Sequence, residues 1–283
     1  MTKTKRPKHC KMSYIGELLD TIWVYKKDML PPGSLPEFII PGAQKSGTTS
    51  LFEYITDHPK VIPPSGKESH YFDNNFSKPL LWYRRKFPSH IRKLYQNGLT
   101  GEATPYYLFH PLSPSRIYSL IPNVKLIILL RNPIDRAISH YWMEFERGNE
   151  SLPMDEAFSR EKERLSGEEA KLINGEESYS FPHQRHSYLS RGIYADQLDR
   201  YRKFFSDDQI LIIQSERLFK DTKYVMKKVF DFLELRYKSF ESKKYNEGNK
   251  SKEVECDLVK KLKIFYEFHN ERLYDITNIS RWW

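Results

Sequence analysis

The sequence predicts an α/β fold, a central parallel β-sheet flanked by helices. Three observations carry this. Aliphatic runs recur at 35–40, 124–130 and 210–213. A segment with helical periodicity follows each run, and strands alternating with helices build parallel sheets. The first run also enters a glycine-containing loop, at the strand end where such sheets bind ligands.

Size and composition permit this architecture. The chain has 283 residues and a net charge of +9, from 46 Lys+Arg against 37 Asp+Glu. Its 17 Phe, 19 Tyr and 5 Trp supply a core and exclude wholesale disorder. Two cysteines, Cys10 and Cys256, exclude a disulfide framework and a four-cysteine zinc module. No apolar run approaches the ~18 residues of a membrane-spanning helix. Lys3, Lys5, Arg6, Lys8 and Lys11 precede no apolar core, so the start does not read as a secretory signal. A soluble, cytoplasmic protein is expected, or an anchored one trimmed of its anchor. The positive balance fits nucleic acid, an anionic membrane, a small anion or a solvated surface.

The elements follow in chain order. Pro31-Pro32-Gly33-Ser34 breaks the chain, so residues 1–33 are read as an arm or cap and 34–283 as one domain. Leu35 to Ile40 reads as a buried strand ended by Pro41-Gly42, and Thr48 to Ile55 as a helix. Val124 to Leu130 is nearly all aliphatic, as in a strand covered on both faces. Asn132 then suits a helix N-cap and Pro133 the first helical position. Ile134, Ala137, Ile138, Tyr141, Trp142 and Phe145 recur at helical spacing and predict its buried face. Residues 148–190 are highly charged and read as an insertion of loops and a peripheral helix, plausibly on the substrate side. His183 and His186 within it read as a solvated pair rather than a metal site. Tyr194, Leu198, Tyr201 and Phe205 mark a further helix, Gln209 to Gln214 a third strand, and helices follow at 222–234 and 253–275.

Two strand ends carry candidate chemistry. The loop Gly42-Ala43-Gln44-Lys45-Ser46-Gly47-Thr48-Thr49-Ser50 joins a strand to a helix N-terminus, where free N–H groups and the helix dipole attract anions. Gly42 and Gly47 have the spacing of a nucleotide triphosphatase loop. Thr48 stands where that motif needs lysine, however, and Lys45 lies two residues before Gly47. This shift argues against ATP or GTP hydrolysis. At the second strand end, Arg131 and Ser139 offer a second anion pocket. Ser139 falls beside the apolar stripe of its helix, which leaves its hydroxyl free for a ligand.

The pair GAQKSGTTSL (Gly42 to Leu51) and LIILLRNPIDRAISHY (Leu126 to Tyr141) resembles the sulfotransferases that use 3′-phosphoadenosine 5′-phosphosulfate, PAPS. The resemblance runs from Leu35 nearly to the C-terminus and implies a P-loop-kinase-like sulfotransferase fold. It implies that Lys45, Ser46, Gly47, Thr48, Thr49 and Ser50 cradle the 5′-phosphosulfate, and that Arg131 and Ser139 bind the 3′-phosphate. Lys67-Glu68-Ser69-His70-Tyr71-Phe72-Asp73 is similar to the segment that carries the catalytic glutamate in heparan-sulfate-type members. Gly101 to Tyr107 and Arg191 to Tyr194 resemble further blocks of those enzymes. Ala103 stands where the animal 3-O-type enzymes carry lysine, and Cys256 has no near partner for their C-terminal disulfide. The resemblance therefore supports the reaction and a bacterial-type enzyme more than heparan sulfate itself.

The expected reaction is sulfuryl transfer to a hydroxyl or amine of a carbohydrate-like acceptor. Glu68 is the candidate base, and Lys45 stabilises the leaving phosphate. His70 and the loop N–H groups are candidate donors to the sulfuryl oxygens, and no metal is required. Asp73 orients an acceptor hydroxyl or caps a turn. Tyr194 stacks near adenine or belongs to the core. Lys250, with Lys252, falls in a C-terminal loop (246–252) that resembles the family's late 3′-phosphate loop, or in a solvated turn. Trp82 and Arg84 line an acceptor cleft, or Trp82 is core and Arg84 surface. Two other classes remain: an ATP-dependent kinase on the same core, and a polyanion-binding module without catalysis. No nucleic-acid-binding motif is present.

Overall fold

A computed structural model describes residues 33–238, 254–277 and 281–283. Lys250, Lys252 and nearly all of the expected N-terminal arm lie outside the described residues.

The chain runs β1 (Phe38–Gly42), α1 (Thr48–Thr56), β2 (Gly101–Ala103), β3 (Lys125–Leu130), α2 (Pro133–Glu146), α3 (Tyr194–Arg202), β4 (Ile210–Gln214), α4 (Thr222–Phe232) and α5 (Cys256–Thr277). Shorter helical turns fill the connections. The four strands form one parallel sheet in the order β2-β1-β3-β4.

Strand alternation builds two layers. Ile39, Leu126, Ile128, Leu130, Ile210 and Ile212 face one core with Tyr194, Leu198 and Tyr201 of α3. Phe38, Ile40, Ile127, Leu129, Leu211 and Ile213 face the other with Leu51 and Ile55 of α1 and Val225 and Val229 of α4. Successive strand side chains point to opposite faces, so aliphatic residues at every position need cover on both sides. Among the described residues, no helix is long and apolar enough to cross a membrane.

Four expectations are corrected. The first strand starts at Phe38 and continues through Pro41 to Gly42. Proline lacks an N–H for the ladder, and the β1–β3 register shifts between Ile39 and Gly42, where Pro41 falls. β2 was not expected, because Gly101-Glu102-Ala103 carries no β-branched or aromatic residue.

The buried face of α2 is only partly the apolar stripe: Ala137 and Tyr141 are buried as expected, with Ile134 and Trp142 packed beside them, but polar residues share that face. Arg136, His140 and Glu144 are fully buried, whereas Ile134, Ile138 and Trp142 are half-buried and Phe145 is exposed. These polar residues recur every fourth position and sit against the 180–191 segment. Arg136 Nη2 donates to Tyr188 O, the His140 ring packs on Tyr188, and Arg185 lies 3.5 Å from Glu144.

Finally, residues 148–190 carry four short helices where one peripheral helix was expected, and several of their charged residues are buried. Glu161 is buried and accepts from Ser190 N at 2.8 Å and Ser190 Oγ at 2.7 Å. Glu150 is buried and pairs with Arg164, while the Tyr188 hydroxyl donates to it at 3.0 Å. His183 is buried too, stacked on Phe109 and bonded to the Tyr106 hydroxyl at 2.7 Å. Burial pulls its pKa down to about 2, which keeps the ring neutral.

Candidate active site

The carboxyl end of β1 turns directly into the anion loop. Ala43 N donates to Leu129 O at 2.7 Å, which ties the turn to β3. Lys45 has φ +69° and Gly47 φ +91°. Two left-handed residues so close together curl the chain into a concave turn. Gly47 is required here, since a Cβ would also lie 2.8 Å from the Phe219 ring. The loop is held from outside by Arg131 Nη1 on Lys45 O (3.0 Å), Ser215 Oγ on Ser46 O (2.7 Å) and Arg191 on the Gln44 side chain.

The loop presents donors that lack partners. Gly47 caps α1 without any side-chain bond to the helix N–H groups. Ser46 Oγ is buried with no hydrogen-bond partner among the described residues. Lys45 is half-buried and pairs with no carboxylate among the described residues. Burial and then the Arg131 and Arg147 charges lower its pKa, against weaker opposition from Glu146 and Glu144. A buried orphan hydroxyl, open helix N–H groups and an unpaired ammonium fit an anionic group such as a phosphate or phosphosulfate. Thr48 and Ser50 are buried, and Thr49 turns its hydroxyl toward the next element.

That element is the segment before β2. Lys67 Nζ donates to Thr49 Oγ1 at 2.8 Å and pairs with Glu68 Oε1 at 2.9 Å. Glu68 Oε2 lies 3.2 Å from His70 Nε2, and His70 Nδ1 lies 2.8 Å from Asp73 Oδ2. The imidazole thus bridges two carboxylates. Burial would lower its pKa, but the bonds to Asp73 and Glu68 outweigh it and raise the value to about 10. Burial would raise Glu68, but His70 and Lys67 outweigh it and bring the carboxyl to about 2. His70 is therefore a cation and Glu68 an anion at neutral pH. The His70 backbone is left-handed, with φ +52°.

Buried polar groups fix this segment from below. Ala103 N of β2 donates to Lys67 O at 2.9 Å. Glu102, fully buried, accepts from Tyr83 Oη at 2.6 Å, Thr104 Oγ1 at 2.9 Å and Ser69 N at 3.2 Å. Burial raises its pKa, while these bonds pull the other way. Tyr107 Oη accepts from Tyr71 N at 2.8 Å, so a rigid aromatic cluster carries the loop of Glu68 and His70.

The remaining expected residues divide. Arg131 is at the loop, bonded to Lys45 O. Ser139 is half-buried on α2 and makes no side-chain hydrogen bond among the described residues. Tyr194 is buried in the core, and its hydroxyl donates to Arg131 O at 2.8 Å. Trp82 packs on Tyr71, with Lys86 Nζ 4.3 Å above its ring. Arg84 is not brought to the loop, because its Nε donates to Gly33 O at 2.8 Å, ahead of β1. Sequence reasoning missed Lys67, Glu102 and Arg191 as parts of the site. For Lys67 the signal was its place beside Glu68. Glu102 and Arg191 bond partners far along the chain, which no local pattern reveals. Among the described residues, no group of three or more His, Cys, Asp or Glu could hold a metal ion.

An anion cradle at the carboxyl ends of a parallel sheet, with a carboxylate locked beside it, is an arrangement that fits a phosphorylated ligand. The sulfotransferase domain model matches residues 35–269, and the chain belongs to that family. It is 31% identical to the human protein named heparan sulfate glucosamine 3-O-sulfotransferase 3A1, over 90% of this chain and 64% of that one. It is 26% identical to the membrane-associated sulfotransferase kil1 of Dictyostelium discoideum, over 88% of this chain and 66% of the relative. The chain therefore spans just under two thirds of the length of these curated relatives. The crystal structure of a sulfotransferase from Alicyclobacillus acidocaldarius matches with TM-score 0.65 and 28% identity, over 87% of this chain and 97% of that one.

Proposed function

We propose that the protein is a PAPS-dependent sulfotransferase acting on a hydroxyl or amine of a carbohydrate-like acceptor, with residues 34–283 as its domain. One observation carries this reading. Lys67 joins Thr49 of the anion loop to Glu68, so a cradle for the donor and a carboxylate for the acceptor share one ammonium. The carbohydrate class is taken from the relatives named as heparan sulfate sulfotransferases.

When bound, PAPS supplies a sulfuryl group activated by a phosphate leaving group. Ser46, Gly47, Thr48, Thr49 and Ser50 bind its 5′ end through the α1 N–H groups and hydroxyls. Arg131 and Ser139 would hold its 3′-phosphate. Tyr194 acts on this pocket through Arg131, whose carbonyl it anchors. Lys45 sets its charge where negative charge grows on the leaving group. Glu68 receives the acceptor proton. A carboxylate with a low pKa suits a proton that departs late, as the new bond makes the hydroxyl acidic.

His70 holds Glu68 in place and ionised, and Asp73 holds His70. Both His70 ring nitrogens are occupied by carboxylates, which leaves the sulfuryl oxygens to other donors. Lys86 on one face of the Trp82 ring and Tyr71 stacked against it weigh against Trp82 as a sugar platform.

The test is transfer of radiolabelled sulfuryl from PAPS to a panel of desulfated and N-sulfated heparan oligosaccharides, chondroitin and simple phenols. Label on a glycan supports the reading. Label on phenols alone replaces the acceptor class, and no label with any acceptor overturns the reading.

A further inference from the structure

With His70 fully engaged, the site needs another donor beside Lys45, and the loop carries one. Arg191 is 2% exposed, with its guanidinium 4.8 Å from the Tyr106 ring centre and 5.1 Å from that of Phe109. Its Nε donates to Ser187 Oγ at 2.7 Å. Its Nη2 donates to the carbonyls of Gln184 at 2.6 Å and His183 at 3.2 Å, and its Nη1 to Gln44 Oε1. No carboxylate pairs with it among the described residues. Burying a cation with only neutral acceptors is costly, so a planar fork at this position needs a reason.

Gln44 supplies the reason. A guanidinium only donates, so it must take the amide oxygen of Gln44 and turn the NH₂ away. The orientation of this amide is therefore fixed by chemistry. Gln44 is half-buried, directly precedes Lys45, and its Nε2 has no partner among the described residues. The same hub reaches the base segment, because Asn74 Nδ2 donates to Gln184 Oε1 at 3.1 Å. Gln44 is thus linked through Arg191 and Gln184 to Asn74, which directly follows the stretch that holds Glu68, His70 and Asp73.

We infer that Gln44 Nε2 donates to the sulfuryl oxygens of the bound donor nucleotide, and that Arg191 is the positioning residue that aims it. This rests on the reading of the protein as a PAPS-dependent sulfotransferase.

Calorimetric titration with PAPS and with adenosine 3′,5′-bisphosphate tests it, since the two probes differ by the sulfuryl group alone. Gln44→Leu is expected to weaken PAPS about tenfold and leave the bisphosphate within about twofold, the scale of one hydrogen bond to a charged group. Gln44→Glu still accepts from Arg191 but has no N–H. It is expected to melt at or above the parent's temperature and to show a larger loss for PAPS than for the bisphosphate. Adding Arg191→Lys to Gln44→Leu should leave the ratio of the two affinities unchanged, because Arg191 acts through Gln44.

Equal losses for both probes, or no loss in either Gln44 variant, overturn the inference. A further tenfold fall in the ratio in the double variant overturns the part given to Arg191. A parent that binds neither probe overturns the sulfotransferase reading and this inference with it. A parent that binds both, beside unchanged variants, overturns this inference alone.

Discussion

Lys67 Nζ sits 2.8 Å from Thr49 Oγ1, which links the segment before β2 to the first turn of α1. The same ammonium holds Glu68 at 2.9 Å. Lys67→Met breaks both contacts at similar side-chain length. Donor affinity and turnover are both expected to fall, turnover by tenfold or more, with partial recovery in Lys67→Arg. Steady-state kinetics against donor concentration checks this, and a variant with normal kcat and KM would remove Lys67 from the site.

Glu68→Gln keeps the shape and removes the proton acceptor. Turnover should fall roughly 10²–10⁴-fold, the usual worth of a general base. Affinity for adenosine 3′,5′-bisphosphate should stay within about twofold. Turnover within a few-fold of the parent would show that another group takes the proton.

The His70 pair with Glu68 and Asp73 gives stability a definite pH dependence. The folded pKa of His70 is raised, from 6.5 to about 10. Its contribution is therefore full below pH 6.5 and declines as pH rises toward 10. Glu68 is lowered, from 4.5 to about 2, so its contribution is present above pH 4.5 and is lost as pH falls toward 2. The gap in melting temperature between the parent and His70→Gln should be largest near pH 5–6 and shrink toward pH 10. A gap that widens in alkali would contradict the charged bridge.

Tyr83→Phe removes the 2.6 Å hydrogen bond to Glu102 Oε1 in a fully buried setting. Leaving a buried carboxyl short of one donor costs about 1–3 kcal/mol. Urea denaturation should show this as a lower midpoint. An unchanged midpoint would mean that Glu102 finds its donor elsewhere.

Legibility in the sequence followed locality. β3 and β4 could be read because residues 126–130 of the inner strand and 210–213 of the edge strand are all aliphatic, and Asn132-Pro133 announced the start of α2. The Asn132 side chain does accept from Ile134 N at 2.9 Å. β2 was invisible because three residues without β propensity form it, held by their neighbours. The face of α2 was read only in part, through Ala137 and Tyr141, because hydrophobicity was taken as the sign of burial. Arg136 and Glu144 are buried against polar partners on the 180–191 segment, and His140 against the Tyr188 ring, which periodicity does not see. The acids at Glu150 and Glu161 misled in the same way, since they serve as buried acceptors for backbone and side-chain donors.

The site divides similarly. The anion loop and the stretch from Lys67 to Asp73 each lie within a few residues, so motif and resemblance reach them. Arg191 meets Gln44 across 147 positions of sequence, and only folding brings the two together.

The central claim is that the loop around Lys45 binds the nucleotide of PAPS. A thermal-shift titration with adenosine 3′,5′-bisphosphate, run beside ATP with Mg²⁺, tests it most directly. A ligand at a hundredfold excess over Kd stabilises the fold by about 2.7 kcal/mol. The expected result is a clear upward shift with the bisphosphate, little with ATP, and loss of the shift in Lys45→Ala. A shift with ATP–Mg²⁺ alone, or the same shift in Lys45→Ala as in the parent, would contradict it.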